Sequence, residues 1–427
     1  MPDMQTSEYA PMQTLIRLAA AGARGEVLRD ICVDWQAVMP LAGEQHMQPL
    51  VACALLYSPE LDCPPALRKH LLDSMRAQSS MNIIRRQRIL QLLQDMQAAG
   101  ITARVLKGYA VAGCYAHPEC RGSVDTDLLI DPAQESQAVR LFDHCGFRIT
   151  PRAATSHHTV CQHKRYGAVE LHIALYAELY QDVWFQAVPE DELVQEPPVT
   201  VQSAEGPFMT LGHTDQLLFL TLHMVKHFIM GGLTLRMMLD IALYFHQHRD
   251  AIQAERYWQV LRKLNYATLV SSVLGIMTAY GGFDAADFPG MEQVPHEHLR
   301  LLLEDMIQGG YMGVKQTDVR TESGMEYNRQ MLLKSRSQGQ YSRYMLLWKV
   351  RTAAGNTFLS LPKLHKTYPF TRQHKAAIPF VWLYHMVAYP IGKIRQGVLR
   401  RDIHTENSQR TDAAEKRIGM FRTLGML

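Results

Sequence analysis

At 427 residues, with 47% hydrophobic and 20% charged content, the chain has the composition of a folded globular protein and length for two or three domains. A net charge of +3 leaves nothing in the global balance that demands nucleic acid as a partner. Seven scattered cysteines with no Cys-x-x-Cys pair point to reduced thiols rather than a disulfide framework. The Met-Pro-Asp-Met-Gln start lacks a basic region followed by an apolar core, and no run reaches the roughly 20 apolar residues needed to span a bilayer. The expectation is a cytoplasmic protein without a transmembrane segment.

Residues 1–100 read as a helical N-terminal domain. Leu15, Ile16, Leu18 and Ala19 lie on one amphipathic helix, and Gly43 to Tyr57 predicts a second. Pro64-Pro65 opens a long helix through Leu71, Met75, Met81, Ile84, Leu90, Leu93 and Met96, capped at Gly100. Its basic stretch, Arg85-Arg86-Gln87-Arg88, reads first as a solvated face, with one arginine over a neighbouring site as the alternative.

Residues 101–212 change character. Ile101 to Leu106 predicts a strand that ends in Lys107-Gly108, followed by helix-like sequence from Tyr109 to Tyr115. Lys107 and the backbone N–H groups after Gly108 form a setting for a phosphate. Arg121 stands four residues before a second strand, Asp125-Thr126-Asp127-Leu128-Leu129-Ile130. Side chains alternate along a strand, so Asp125 and Asp127 share one face while Val124, Thr126, Leu128 and Ile130 share the other. Two carboxylates at about 5–7 Å repel by roughly 2–3 kcal/mol at an effective dielectric near 20. A divalent cation with hard-oxygen preference turns that repulsion into a site.

A helix from Pro132 to Cys145 and a hairpin follow. The hairpin's second strand, Ala168 to Leu175, sets Glu170 and His172 on the side opposite Val169, Leu171, Ile173 and Leu175. If this strand neighbours the Asp-x-Asp strand, Glu170 becomes the third carboxylate. His157, His158, His163 and His172 invite a zinc reading, but no pair among them has a recognised metal spacing. Contact of His172 with substrate, or with the groups around the metal, is preferred. Pro189 to Pro198 reads as an acidic loop.

From His213 the period is helical again, and residues 213–310 read as a helical domain. His223 and His227 share one face as polar residues lining a groove, and Gly231-Gly232 breaks the helix. The next helix carries an Arg236–Asp240 pair at i, i+4 spacing. Residues 311–427 form a helical extension with a polar tail. In it, 308–325 reads as a loop, while Glu326 to Lys334 and Tyr341 to Thr352 read as helices. An apolar segment from Ile378 to Ile391 runs into Lys393, Arg395, Arg400 and Arg401. Docking on the catalytic portion is preferred there, with peripheral membrane contact through 378–401 as the alternative. The tail after Ile403 is expected to be disordered.

The segment Leu106-Lys107-Gly108, Arg121 and Asp125-x-Asp127-Leu128-Leu129 resembles the polymerase-beta-type nucleotidyltransferase superfamily. More narrowly, it resembles the bacterial uncharacterised nucleotidyltransferase family. Gly146-Phe147 after a helix, Glu170-Leu171-His172, Arg236 with Asp240, and Tyr368-Pro369-Phe370 extend the likeness from about residue 80 onwards. Tyr109 stands where the superfamily's usual pattern has serine, and Thr126 where a hydrophobic residue is commoner. The resemblance implies an α+β fold, a small polymerase-beta-type sheet with flanking helices, embedded in mostly helical N- and C-terminal domains. For the Arg236–Asp240 pair it implies a buried, orienting role. It implies Mg²⁺ or Mn²⁺ on Asp125, Asp127 and Glu170 as catalytic, metal-holding groups. A nucleoside triphosphate such as ATP would be bound through Lys107, Gly108, Arg121 and His172. The reaction implied is transfer of a nucleoside monophosphate to an acceptor (small molecule, saccharide, peptide or RNA) by a two-metal-ion route. An inactive scaffold of the same fold and a kinase-like or toxin-like enzyme remain as alternatives.

Overall fold

A computed structural model describes residues 9–123, 125–150, 152, 156–176, 188–316, 368, 371, 377–381, 384 and 415–427. The chain divides into two units, one of residues 1–324 with 419–427 and the other of residues 325–418.

The first unit begins with helices α1 (Ala10–Arg24), α2 (Trp35–Glu44), α3 (Gln48–Tyr57) and α4 (Pro65–Ala98). Asp34 starts α2 by accepting from the N–H groups of Gln36 and Ala37 at 3.0 and 3.2 Å. The stretch read as one helix from Gly43 to Tyr57 is two. The chain turns at Gln45–Met47, with His46 at φ 55°, and restarts at Gln48-Pro49, where proline suits the first turn of a helix. Gly22 lets α1 and α3 touch, since a Cβ there would lie 1.9 Å from the carbonyl oxygen of Leu50.

The α/β portion holds β1 (Ala103–Val105), α5 (Tyr109–Ala112), β2 (Asp125–Ile130), α6 (Glu135–His144), β3 (Arg148–Thr150), β4 (His158–His163) and β5 (Gly167–His172). These strands form one mixed sheet in the order β1-β2-β5-β4-β3. β2 and β5 run parallel, with Asp127 beside Glu170, and the other pairings are antiparallel. One face of the sheet packs Leu128, Ile130, Val169, Leu171 and Cys161 against Ile89, Leu92 and Met96 of α4 and Phe142 of α6. That apolar layer commits the alternate residues Asp125, Asp127, Glu170 and His172 to the opposite face.

The basic stretch of α4 is not a solvated face. Arg85 donates to the carbonyls of Ser123 and Tyr166 at 2.7 and 3.2 Å, and Arg88 donates to that of Arg165 at 2.9 Å. Arg86 forms a buried pair with Glu205 at 2.9 Å. Loops from the sheet present free carbonyls to the helix, and the guanidinium groups satisfy them.

Within the expected acidic loop lies a short helix α7 (Glu190–Leu193), and the ribbon β6 (Val199–Ser203) with β7 (Gly206–Thr210) follows. Five helices follow: α8 (His213–Met230), α9 (Leu235–His248), α10 (Ala254–Lys263), α11 (Ala267–Tyr280) and α12 (His296–Gly309). Residues 311–316, read as part of a loop, form a 3₁₀ turn. The expectation of a disordered tail is corrected at residues 415–423, which are helical. Phe421, Leu424 and Met426 are fully buried, and Phe421 packs against Phe228 of α8 at 5.4 Å between ring centroids.

The sheet with helices on its apolar face and more helices around it makes the fold α+β. Among the described residues no helix is long and apolar enough to cross a membrane. The helices read at Glu326 to Lys334 and Tyr341 to Thr352 lie outside the described residues, as do Pro369 and Phe370. So does most of the 378–401 segment, where Phe380 and Tyr384 are exposed and Val381 is buried. All seven cysteines are free.

Candidate active site

The charged face of the sheet centres on Lys107. Its position follows from the backbone that precedes it. The Leu106 N–H donates to the Asp127 carbonyl at 3.1 Å, Thr210 donates to the Val105 carbonyl at 2.6 Å, and the Gln216 amide donates to that of Leu106. Gly108 then turns the chain at φ 69° into α5. The Lys107 ammonium consequently lies 3.4 Å from Asp125 and 3.2 Å from Asp127. Burial works against its charge, but Asp127, Asp125 and Glu170 outweigh burial and hold its pKa above the ordinary value.

Asp127 is fully buried. Its Oδ1 receives the His172 Nε2 proton at 3.0 Å, and its Oδ2 is buried with no hydrogen-bond partner. Glu170 lies 3.4 Å from the same His172 nitrogen and 3.8 Å from His158 Nε2. Burial alone would raise the Glu170 pKa, yet His172, His158 and Lys107 pull it down to about 2. For His172 the balance reverses: burial lowers its pKa, while Asp127 and Glu170 raise it above the usual imidazole value.

The structure thus gathers Asp127, Glu170 and His172 with ligand atoms within 4.8 Å of one another. Asp125 sits on the same face and is linked to them through Lys107. Arg121 lines the cavity that Asp125 and Lys107 also line, but its side chain is committed elsewhere. Its guanidinium forms a two-pronged ion pair with Asp240, Nε to Oδ1 at 2.8 Å and Nη2 to Oδ2 at 2.6 Å. The expected Arg236–Asp240 pair is therefore replaced. Arg236 donates instead to the Gly122 carbonyl at 3.2 Å and the Tyr311 hydroxyl at 2.9 Å. Although spacing favours an i, i+4 pair, the Arg121 fork fits the carboxylate better.

Two cavities open on Lys107 and His223. One, of about 410 Å³, is bounded by Asp127, Glu170, His172 and Lys226, with Phe219 and Leu222 as an apolar wall. The other, of about 450 Å³, is bounded by Gly108, Ser123, Asp125 and Arg236. Helix α8 contributes His223, 3.5 Å from Lys107, and Lys226, whose pKa is lowered by burial and by Lys107. His223 lines the groove as its position predicts, whereas Lys226 escaped the sequence reading. Its signal was the polar i, i+3 pair on an otherwise apolar helix.

Gly108 has little room for a side chain, because a Cβ would come 3.2 Å from Ser123 Oγ at a backbone angle that L residues avoid. Gly108→Ala is expected to destabilise the protein by about 1–3 kcal/mol, measured by urea denaturation. The Ser123 hydroxyl beside it donates to the Asp125 carbonyl at 2.6 Å.

Acid sensitivity follows from the buried imidazoles. Burial lowers the His157 pKa from 6.5 to about 3, those of His227 and His248 to about 4, and those of His158, His213 and His223 in the same direction. The unfolded chain takes up these protons below pH 6.5 and the folded chain does not, so the stability present above 6.5 is lost as pH falls. His172, with its raised pKa, works the other way and is outnumbered. The melting temperature is expected to drop by several degrees between about pH 7 and pH 5, read by calorimetry at fixed ionic strength.

No curated protein and no solved structure shows significant similarity to the chain. Residues 32–282, more than half of the 427, match the family described as uncharacterised nucleotidyltransferase, and the span takes in Lys107, both aspartates, Glu170 and Asp240. The chain belongs to that nucleotidyltransferase family.

Proposed function

We propose that the protein transfers a nucleoside monophosphate from a nucleoside triphosphate to an acceptor hydroxyl or phosphate, with release of pyrophosphate. The observation that carries this reading is the convergence of Lys107, Asp125, Asp127 and Glu170 on one face of β2 and β5. The Asp-x-Asp start of a strand in a mixed sheet supports a catalytic core of the polymerase-beta type.

The donor set suits Mg²⁺ or Mn²⁺. Asp125, Asp127 and Glu170 offer hard oxygens, and Asp127 keeps a buried oxygen free of any hydrogen bond. When bound, such ions neutralise charge on the attacking and leaving oxygens. Lys107 takes the triphosphate, giving up part of its attraction to the aspartates for phosphate oxygens. Lys226 adds positive charge from α8. Glu170 stays ionised into acid and would offer its oxygens to the ion on the acceptor side. His172 holds Asp127 by its Nε2–H and fixes the carboxylate for the reaction. Arg121 serves at one remove: clamped by Asp240, it braces the loop that delivers β2. Phe219 and Leu222 exclude water from one wall.

A melting scan with Mg²⁺ or Mn²⁺ and each of the four nucleoside triphosphates tests the reading. One triphosphate with metal should raise the midpoint, by an amount equivalent to about 2.7 kcal/mol at a hundredfold excess over Kd. The rise should vanish in Lys107→Met. An unchanged midpoint with every triphosphate would move the reading to a scaffold that has kept the fold, and an equal rise in the variant would remove Lys107 from the phosphate site.

A further inference from the structure

The four histidines that invite a zinc reading part company in the fold. His163 stays out of the cluster, its Nδ1 accepting from the Arg165 N–H at 3.0 Å, but the other three histidines converge. Pairing of β4 with β5 sets His158 directly opposite His172, so both rings leave the same face. His157, in the bend before β4, is held by its carbonyl, which accepts from the Ile173 N–H at 3.0 Å. The ring centroids form a near-equilateral triangle: His157–His158 4.7 Å, His157–His172 5.0 Å and His158–His172 5.1 Å. One nitrogen from each ring lies within 4.8 Å of the others.

Packing of rings alone leaves a debt at the nitrogens. His158 and His172 each turn Nε2 towards the carboxylates, and each keeps Nδ1 buried with no hydrogen-bond partner. A buried acceptor left unmatched costs about 1–3 kcal/mol. An imidazole that donates one N–H to a carboxylate and keeps the other nitrogen as a lone pair is the arrangement found around protein-bound zinc. Nitrogen ligands around a tetrahedral ion at 2.0–2.1 Å stand roughly 3.3 Å apart, a distance within reach of small ring rotations. Asp127 and Glu170 nearby offset the positive charge of Lys107 and Lys226.

We propose that His157, His158 and His172 form a binding site for a transition-metal dication of the zinc class, beside the carboxylates and separate from the Mg²⁺-type site. Three imidazoles select such an ion over Mg²⁺, which prefers oxygen. The site does not depend on the nucleotide reading, because it requires neither triphosphate nor Asp125.

The test uses full-length protein stripped with chelator and titrated with Co²⁺ alone, followed by visible absorption. One equivalent should give ligand-field bands of a four- or five-coordinate ion, removed by Zn²⁺ and unaffected by excess Mg²⁺. His157→Gln and His158→Gln, both at half-buried positions, should keep the metal-free melting temperature. They should weaken Co²⁺ binding by more than the roughly 10–100-fold that follows loss of an outer partner, while Asp125→Asn should retain the bands. Absence of the bands in wild type, or undiminished binding in both histidine variants, would overturn the proposal. Either result is independent of whether nucleotide binds, since no nucleotide is present.

Discussion

Asp240→Ala is expected to lower stability by about 3–5 kcal/mol, the largest single-residue effect on the fold outside the apolar core. Asp240 is 5% exposed and accepts three hydrogen bonds, from Tyr115 Oη at 2.7 Å and from the two guanidinium nitrogens of Arg121. Removing it strands a buried guanidinium and a buried hydroxyl together. These three residues tie α9 to the segments after α5 and before β2, so the aspartates of β2 are delivered by a loop whose anchor is gone. Urea denaturation of the variant measures the loss. The double variant Arg121→Met, Asp240→Leu should be far milder, because apolar residues replace the charge pair instead of orphaning half of it. A loss below about 1 kcal/mol in the single variant would mean the pair is solvated and the bracing role wrong.

Asp127→Asn should reduce activity by on the order of 10³-fold, equivalent to about 4 kcal/mol of transition-state stabilisation, with the fold retained. The amide keeps the shape of the carboxylate, while Lys107 retains Asp125 and His172 retains Glu170 as partners. What disappears is the charge on the most buried carboxylate of the site. Circular dichroism and the melting curve of the variant check the fold, and its turnover beside wild type checks the chemistry. Turnover within tenfold of wild type would remove Asp127 from the metal-holding set.

Much of this site can be read along single strands, since alternation is a local property. The apolar residues Leu128 and Ile130, and likewise Val169 and Leu171, force Asp127 and Glu170 to the same side once β2 and β5 pair. Relations between distant segments were harder. The i, i+4 spacing of Arg236 and Asp240 predicts a pair, but Arg121, brought in from 119 residues away, offers the better fork. The arginines of α4 look solvated from their own helix because the carbonyls they bind belong to loops near Ser123 and Tyr166. The histidine triangle exists only through the register of β4 on β5, so no spacing within the chain reveals it. The C-terminal helix was masked by its polar flanks, its few buried apolar side chains failing to impose a period on the segment.

The most direct test follows the phosphorus. Wild type and Asp127→Asn are incubated with Mg²⁺, a protein-free extract as the source of acceptor, and the triphosphate that stabilises the protein, labelled at either the α- or the γ-phosphate. Nucleotidyl transfer predicts that α-label appears on an acceptor and γ-label in pyrophosphate, with both lost in the variant. Arrival of the γ-label on the acceptor, or label transfer by Asp127→Asn equal to wild type, would contradict it.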